Sequence, residues 1–131
     1  MPEFRLNVTV RQKGAVFNAS ASKAAGQRMV VNINEALAQE GVNRVKQRLG
    51  QVLQNPTGYY ESRIQTVKRA AYRGVSDGGV IYGGWLEGIS SRNRTTRFKG
   101  YHVFRDIQQQ LARDKERLAQ PFVNKFVQEM S

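Results

Sequence analysis

The residues most able to do chemistry in this sequence form a basic run over residues 90–104, SSRNRTTRFKGYHVF. Its four cations stand among small polar residues with no acid between them: Arg92, Arg94, Arg97 and Lys99. Arginine binds phosphates well, and Phe98 and Tyr101 add aromatic rings of the kind found on nucleic-acid surfaces. Arginine is also enriched at protein–protein interfaces, and no helix-turn-helix, zinc-finger or RNA-recognition signature is present. Composition therefore leaves a nucleic-acid surface and a protein interface as open alternatives.

No set of side chains in the sequence matches a catalytic centre or a metal site. His102 is the single histidine and stands beside aromatic neighbours, which favours a packed or surface imidazole over a catalyst. Asp77 adjoins turn glycines, and Ser90 and Ser91 have only that distant histidine as a base. The sequence has no cysteine, which excludes disulfides and thiolate catalysis. We therefore predict that the protein is not an enzyme and takes no cofactor or metal.

The single tryptophan, Trp85, stands in a short apolar stretch with Tyr82 and Leu86. These residue types fit either a stacking surface for bases or a packed core contact. The alternating apolar residues nearby favour the core contact. Glu87 then lies at the rim, close enough in sequence to pair with an arginine of the basic run.

The charge of the chain favours polyanions or acidic proteins as partners. Its 131 residues carry a formal charge of +11, with 8 basic and 3 acidic side chains in residues 1–60, 8 and 3 in residues 61–100, and 5 and 4 in residues 101–131. A hydrophobic content of 40% suits one domain, residues 1–131, with a modest core. No apolar run reaches about 18 residues and the start lacks a signal-peptide layout, so we expect a soluble protein made in the cytoplasm.

Hydrophobic spacing predicts the elements of the first half of the chain. Alternation over residues 4–10 predicts a strand with one buried face. Apolar residues at helical spacing predict a long helix from about Ala24 to the proline and glycine of residues 55–58, with Ser20 and Ser22 as possible N-caps. Gly41 within it marks either a break or a close approach by another element.

The second half of the chain predicts two more strands and a second long helix. We expect strands over residues 60–72 and 75–82, joined across residues 76–79, where the Asp77–Gly78 step favours a hairpin turn, with a short helix as the alternative. A short turn or single helical turn is expected at Trp85. A helix is expected over residues 100–130, with a kink or fresh start near Gln120 because Pro121 follows. The predicted class is α+β: two long helices packed on one face of a small antiparallel sheet, with an extended basic loop.

Residues 81–106, IYGGWLEGISSRNRTTRFKGYHVFRD, resemble a segment shared by small neck and tail-completion proteins of long-tailed double-stranded DNA bacteriophages, especially those of actinobacterial hosts. The close match covers about a fifth of the chain. Gly84 stands where the family has proline, which loosens the turn before Trp85. The matching residues are Tyr82, Gly83, Trp85, Leu86, Glu87, Gly88, Ser91, Arg92, Asn93, Thr95, Thr96, Arg97, Phe98, Lys99, Gly100 and Tyr101.

The resemblance implies a structural virion protein that forms a ring between the head connector and the tail, with the genome passing through the lumen. The implied partners are copies of itself, connector or head-completion proteins, tail proteins and, without sequence specificity, DNA; no membrane is implied. The implied location is the head–tail junction of the virion, after synthesis in the host cytoplasm. The contacts to a neighbouring subunit or to DNA are expected from Arg92, Arg94, Arg97, Lys99 and Glu87. The packing anchors are expected to be Tyr82, Trp85, Leu86, Phe98 and Tyr101.

The alternative from another class is a small basic DNA- or RNA-binding protein without sequence specificity. Its expected signature is tight binding to random duplex DNA that weakens steeply with salt.

Overall fold

The computed structural model describes residues 2–6, 8, 20–53, 58–69 and 72–130. Three short strands form one antiparallel sheet in the order β1-β3-β2, and two long helices pack on each other and on that sheet. The predicted α+β class is thus confirmed. In chain order the elements are β1 (Glu3–Leu6), α1 (Ser20–Val52), α2 (Tyr59–Ser62), β2 (Gln65–Lys68), β3 (Arg73–Ser76), α3 (Gly83–Glu87), α4 (Arg92–Thr95) and α5 (Val103–Met130).

β1 is the strand that the alternating pattern predicts, but it ends earlier than expected. Phe4 and Leu6 are buried on one face, and Arg5 between them is exposed. Beyond the strand, Asn34 of α1 accepts the Val8 N–H through Oδ1 at 2.8 Å and donates Nδ2 to the Val8 carbonyl at 3.1 Å. A helix side chain therefore satisfies backbone groups that a neighbouring strand would otherwise bind. The predicted strand end at Val10 lies outside the described residues.

β2 and β3 form a hairpin in the region where strands were expected, but the chain reverses between Lys68 and Arg73 and not at Asp77 and Gly78. Residues 59–62 form the helical turn α2, so only the later part of the predicted strand over residues 60–72 enters the sheet. The Arg69 N–H donates to the Tyr72 carbonyl at 3.0 Å and closes the hairpin. The predicted hairpin turn at Asp77 and Gly78 was wrong. These two residues follow the end of β3, and residues 80–82 lie in no strand.

Asp77 explains why the chain leaves the sheet at that point. Its side chain is fully buried, with Oδ1 accepting the Gly79 N–H and Oδ2 accepting the Tyr60 hydroxyl, each at 3.0 Å. Burial and the negative charge of Asp77 raise the pKa of Tyr60 well above its ordinary value of 10.0, so the hydroxyl stays protonated as a donor. The Asp-Gly turn is therefore anchored inward and directs the chain towards α3.

The first long helix begins earlier than its spacing predicts. α1 starts at Ser20 rather than near Ala24. Ser22 therefore lies inside the helix and is not its N-cap, whereas the side chain of Ser20 and the residue before it lie outside the described part of the chain, so capping by Ser20 stays a prediction. Within the described ranges, no helix is both long and apolar enough to cross a membrane.

The second long helix continues through its proline. Pro121 lies inside α5, so of the two outcomes expected near Gln120 a fresh start is not found, and a kink stays a prediction. On either side of the proline, Ala119 and Phe126 are buried in the core that α5 shares with α1. This packing offsets the backbone hydrogen bond that proline cannot donate.

Gly41 permits close packing of α1 against the sheet and α5. A Cβ at this position would lie 2.8 Å from Val75 Cγ2, 3.1 Å from Phe4 Cζ and 3.2 Å from Leu111 Cδ1. The helix is continuous through Gly41, so this glycine does not mark a break. It permits a close approach by neighbouring elements, which was the other possibility. The absence of a side chain here sets the distance between the layers.

We predict that Gly41→Ala destabilises the protein by about 1–3 kcal/mol, because overpacking outweighs the gain in helix propensity. Gly50→Ala is the matched control: its Cβ would meet nothing within 4 Å, so it should stabilise by about 0.5–1 kcal/mol. Urea unfolding followed by circular dichroism measures both. Equal effects of the two substitutions would contradict the close packing at Gly41.

Candidate functional site

The predicted basic run lies between α3 and α5. We call residues 82–105 the basic segment. α3 is the single helical turn expected around Trp85, and α4 adds a further turn within the predicted loop. The segment therefore consists of two helical turns joined by short connections, and it leads directly into the longest helix of the second half.

Three aromatic rings form a cluster inside the basic segment. The ring centroids of Trp85 and Phe98 are 5.0 Å apart, and those of Phe98 and Tyr101 are also 5.0 Å apart. Such tilted and edge-on pairs stabilise beyond the area they bury. Leu86 is half-buried against the core, whereas Tyr82 is 42% exposed and packs on Tyr60 at 5.7 Å. Of the predicted anchors, Leu86 and Tyr101 pack against the core, Trp85 and Phe98 are half-buried against each other, and Tyr82 lies at the surface.

Glu87 joins the basic segment to α5. Its side chain is buried, with Oε1 accepting the Phe104 N–H at 2.9 Å and Oε2 accepting the Arg105 N–H at 3.0 Å. These are first-turn donors that no helical carbonyl can reach, and an anion at this end is favoured by the helix dipole. Among the described residues Glu87 makes no ion pair with an arginine of the segment, unlike the pairing that the sequence suggested.

Ionising the buried side chain of Glu87 costs free energy. Burial raises the pKa of Glu87 above its ordinary value of 4.5, while the hydrogen bonds from Phe104 and Arg105 oppose the rise. The carboxylate is thus a structural group whose ionisation is coupled to folding.

Asn93 is a buried centre of the segment that sequence reasoning did not assign. Its Nδ2 donates to the carbonyls of Trp85 at 3.2 Å and Phe98 at 3.1 Å, and its Oδ1 accepts the Ser90 N–H at 3.0 Å. The Ser90 hydroxyl in turn accepts the Arg92 N–H at 3.3 Å. The N-cap of α4 is Ser91 and it makes no side-chain cap hydrogen bond, so the sequence carries no capping-box signal for this helix.

Lys99 differs from the three arginines with which the sequence grouped it. Its Nζ donates to the carbonyls of Asn93 at 2.9 Å and Arg94 at 3.3 Å, at the end of α4. A cation at a helix C-terminus satisfies carbonyls that have no helical partner. Lys99 therefore serves the fold of the segment.

Three of the four arginines of the basic segment point into solvent without an ion pair to the described residues, whereas Arg105 pairs with Asp106. Arg92, Arg94 and Arg97 are all exposed, and no carboxylate of the described residues lies within ion-pair distance of them. Their charges are available for a ligand, and the residues around them are fixed by buried contacts.

An apolar groove adjoins these arginines. It has a volume of about 560 Å³ and is lined by Ile81, Trp85, Ile89 and Arg92 together with small residues. Ile81 is fully exposed and Ile89 is 60% exposed. We call this surface the isoleucine groove.

The end of α3 and the residues just before α5 meet at two glycines, Gly88 and Gly100, which we call the glycine pair. Gly88 ends α3 with φ 96°, and Gly100 has φ 99°. A Cβ on Gly100 would overlap the Gly88 backbone, and one on Gly88 would overlap the Lys99 carbonyl. The Tyr101 N–H donates to the Leu86 carbonyl at 2.7 Å beside this contact. The glycine pair therefore closes the segment into a compact unit.

The other candidates from the sequence are not brought together. Asp77 lies buried at its turn, and His102 is half-buried beside Gly88 with φ 54°. Ser90 lies one residue before Ser91, the N-cap of α4, and its hydroxyl accepts the Arg92 N–H. Within the part of the chain that the structure describes, no three His, Asp or Glu side chains converge as a metal site.

Comparison of the chain with family models, curated proteins and solved structures finds no match.

We predict that Gly100→Ala destabilises the protein by about 2 kcal/mol or more, because a left-handed backbone and a backbone overlap are both penalised. Gly84→Ala is the matched control in the same segment. Its Cβ would lie 3.6 Å from Ile89 Cγ1, in ordinary contact, so it should stabilise by about 0.4–1 kcal/mol. Thermal unfolding compares the two variants with the wild type. A neutral Gly100→Ala would contradict the closed segment.

We predict a pH dependence that reports on Glu87. Because its pKa is higher in the folded protein, the folded state binds more protons, and stability falls as pH rises through the interval above 4.5. The free energy of unfolding of the wild type, minus that of Glu87→Gln, should therefore decrease over this interval. Urea titrations of both proteins at several pH values measure it. A difference that increases with pH would contradict the assignment.

Proposed function

We propose that the protein is a structural, non-enzymatic component of the head–tail interface of a long-tailed double-stranded DNA bacteriophage. It would act as a neck or tail-completion protein that joins the head connector to the tail. The support is that the residues matching this family's segment are the ones that build and display the basic segment. One observation carries the proposal: exposed arginines are mounted on a segment fixed by buried polar contacts.

The residues of the segment divide into two groups with different tasks. The group that fixes it comprises Glu87, Gly88, Asn93, Lys99 and Gly100. The displayed group is the three arginines with the isoleucine groove beside them. A rigid element loses little conformational entropy on docking, which suits a protein whose purpose is assembly. No catalytic role is needed to explain either group.

The proposed assembly is a ring of copies of this chain. Rings use heterologous contacts, in which a segment of one subunit docks on a different patch of the next. The other proposed partners are connector or head-completion proteins and tail proteins. Genomic DNA passing through the lumen would meet a diffusely cationic wall, which attracts a polyanion without reading its sequence. The proposed location is the head–tail junction of the virion, after synthesis in the host cytoplasm.

The exposed arginines also favour one second candidate, a small basic DNA- or RNA-binding protein without sequence specificity. Three guanidinium groups that make no ion pair with the described residues, on a chain of charge +11, are suited to phosphate binding. Titration with random duplex DNA at increasing salt tests it: tight binding with a steep salt dependence supports this second candidate.

We predict that a phage lacking this gene yields separate heads and tails, counted by electron microscopy of lysates. Wild-type protein supplied in trans should restore joined particles. A triple variant, Arg92→Ser, Arg94→Ser and Arg97→Ser, should restore at least about tenfold fewer, since exposed interface charges govern docking.

The matched control removes three exposed cations elsewhere, Lys46, Arg113 and Lys115, each changed to Ser. It has the same net charge as the triple variant and should restore joining. Joined particles in the absence of the gene would contradict the proposed function. Equal loss in the two triple variants would show that total charge matters and the segment does not.

A further inference from the structure

The isoleucine groove has a shape and composition that the fold itself does not need. Ile81 is 101% exposed and Ile89 60% exposed, and both line a concave surface of about 560 Å³. Neither isoleucine belongs to the hydrophobic core. Two aliphatic side chains kept in water beside a tryptophan edge mark a surface that another molecule covers.

The charged groups beside the groove are positive. Arg92 lines it, and Arg94 and Arg97 lie on the same short helix or just beyond it. The two acids nearest in sequence, Asp77 and Glu87, are buried and bound to groups of the chain itself. The surface therefore presents apolar and positive groups with no accessible carboxylate of its own.

We propose that the isoleucine groove binds an acidic segment of a different virion protein, one that inserts an aliphatic side chain and places carboxylates against Arg92 and its neighbours. The proposal rests on the proposed function and specifies its partner. Aliphatic contact and charge pairing at one site give an anchor with a charged rim, the usual anatomy of a protein interface.

Nucleic acid fits the groove less well. Binders of single strands present aromatic faces on which bases stack. Here the exposed side chains are isoleucines, and Trp85 is engaged with Phe98 at 5.0 Å. Phosphate binding would use the arginines but leave the isoleucines uncovered.

A second copy of this chain also fits poorly. Most of its surface carboxylates already lie near cations of the same chain, namely Glu3, Glu35, Glu40, Asp106 and Asp114. A neighbouring copy therefore has few free carboxylates among its described residues to place against Arg92 in the groove. Residues 9–19 of the chain carry Arg11 and Lys13 and no acid, so their charge does not complement the groove either.

Site-specific photocrosslinking tests the partner. Benzoylphenylalanine is placed at Ile89, or at Ile81 as a second position, and the protein is supplied to a phage lacking the gene. Irradiated particles and cell lysates are digested, and the crosslinked peptides are identified by mass spectrometry. Gln109, exposed on α5, carries the same group as the control position.

The expected adduct joins the groove to a segment of another virion protein with a net negative charge. Arg92→Glu should lower its yield by about tenfold, because like charges then face each other. Adducts with DNA, with another copy or with this chain itself, or a yield no higher than at Gln109 from both positions, would overturn the inference.

The same experiment separates the inference from the proposed function. An adduct with an acidic segment of a protein absent from particles supports the chemistry of the groove and contradicts the proposed function. Protein that is incorporated and restores joining but crosslinks only through Gln109 supports the function and overturns the inference.

Discussion

The contact on which the rest of the functional site depends is the carboxylate of Glu87 on the first turn of α5. Both oxygens accept backbone N–H groups from residues 17 and 18 positions further along the chain. This one side chain links the end of α3 to the first turn of α5 and removes two unsatisfied donors from a buried helix end. Burial raises the pKa of Glu87 and the two N–H groups of the helix end oppose that rise, so displacing this helix end would leave a buried carboxylate without its partners.

Buried polar side chains have a larger structural role here than the size of the sheet would suggest. Each strand has four residues, so the sheet offers few hydrogen bonds to fix the connections around it. Asn34, Asp77 and Asn93 hold these connections in place by hydrogen bonding to backbone groups or, for Asp77, also to a tyrosine hydroxyl. Buried polar groups that are fully satisfied specify a unique arrangement, since any alternative leaves them unpaired.

The sequence predicts the parts of the fold that have a simple period. The alternation at Phe4 and Leu6 identifies β1, and helical spacing identifies α1 and α5. The hairpin was predicted with the wrong bend because the Asp-Gly step is a strong local turn signal, and only tertiary contact with Tyr60 shows that Asp77 points inward. Sequence proximity likewise suggested an arginine as the partner of Glu87. Its actual partners are backbone N–H groups, which no side-chain pattern reveals.

The displayed arginines are attached to the core on two sides. On one side Glu87 binds the first turn of α5, which has 28 residues, is therefore about 42 Å long, and packs on α1. On the other side the chain enters the segment from β3 through the Asp77 turn, whose carboxylate accepts the Tyr60 hydroxyl. A shift of the helix pair relative to the sheet would therefore change the separation of the two attachments and, with it, the position of the arginines.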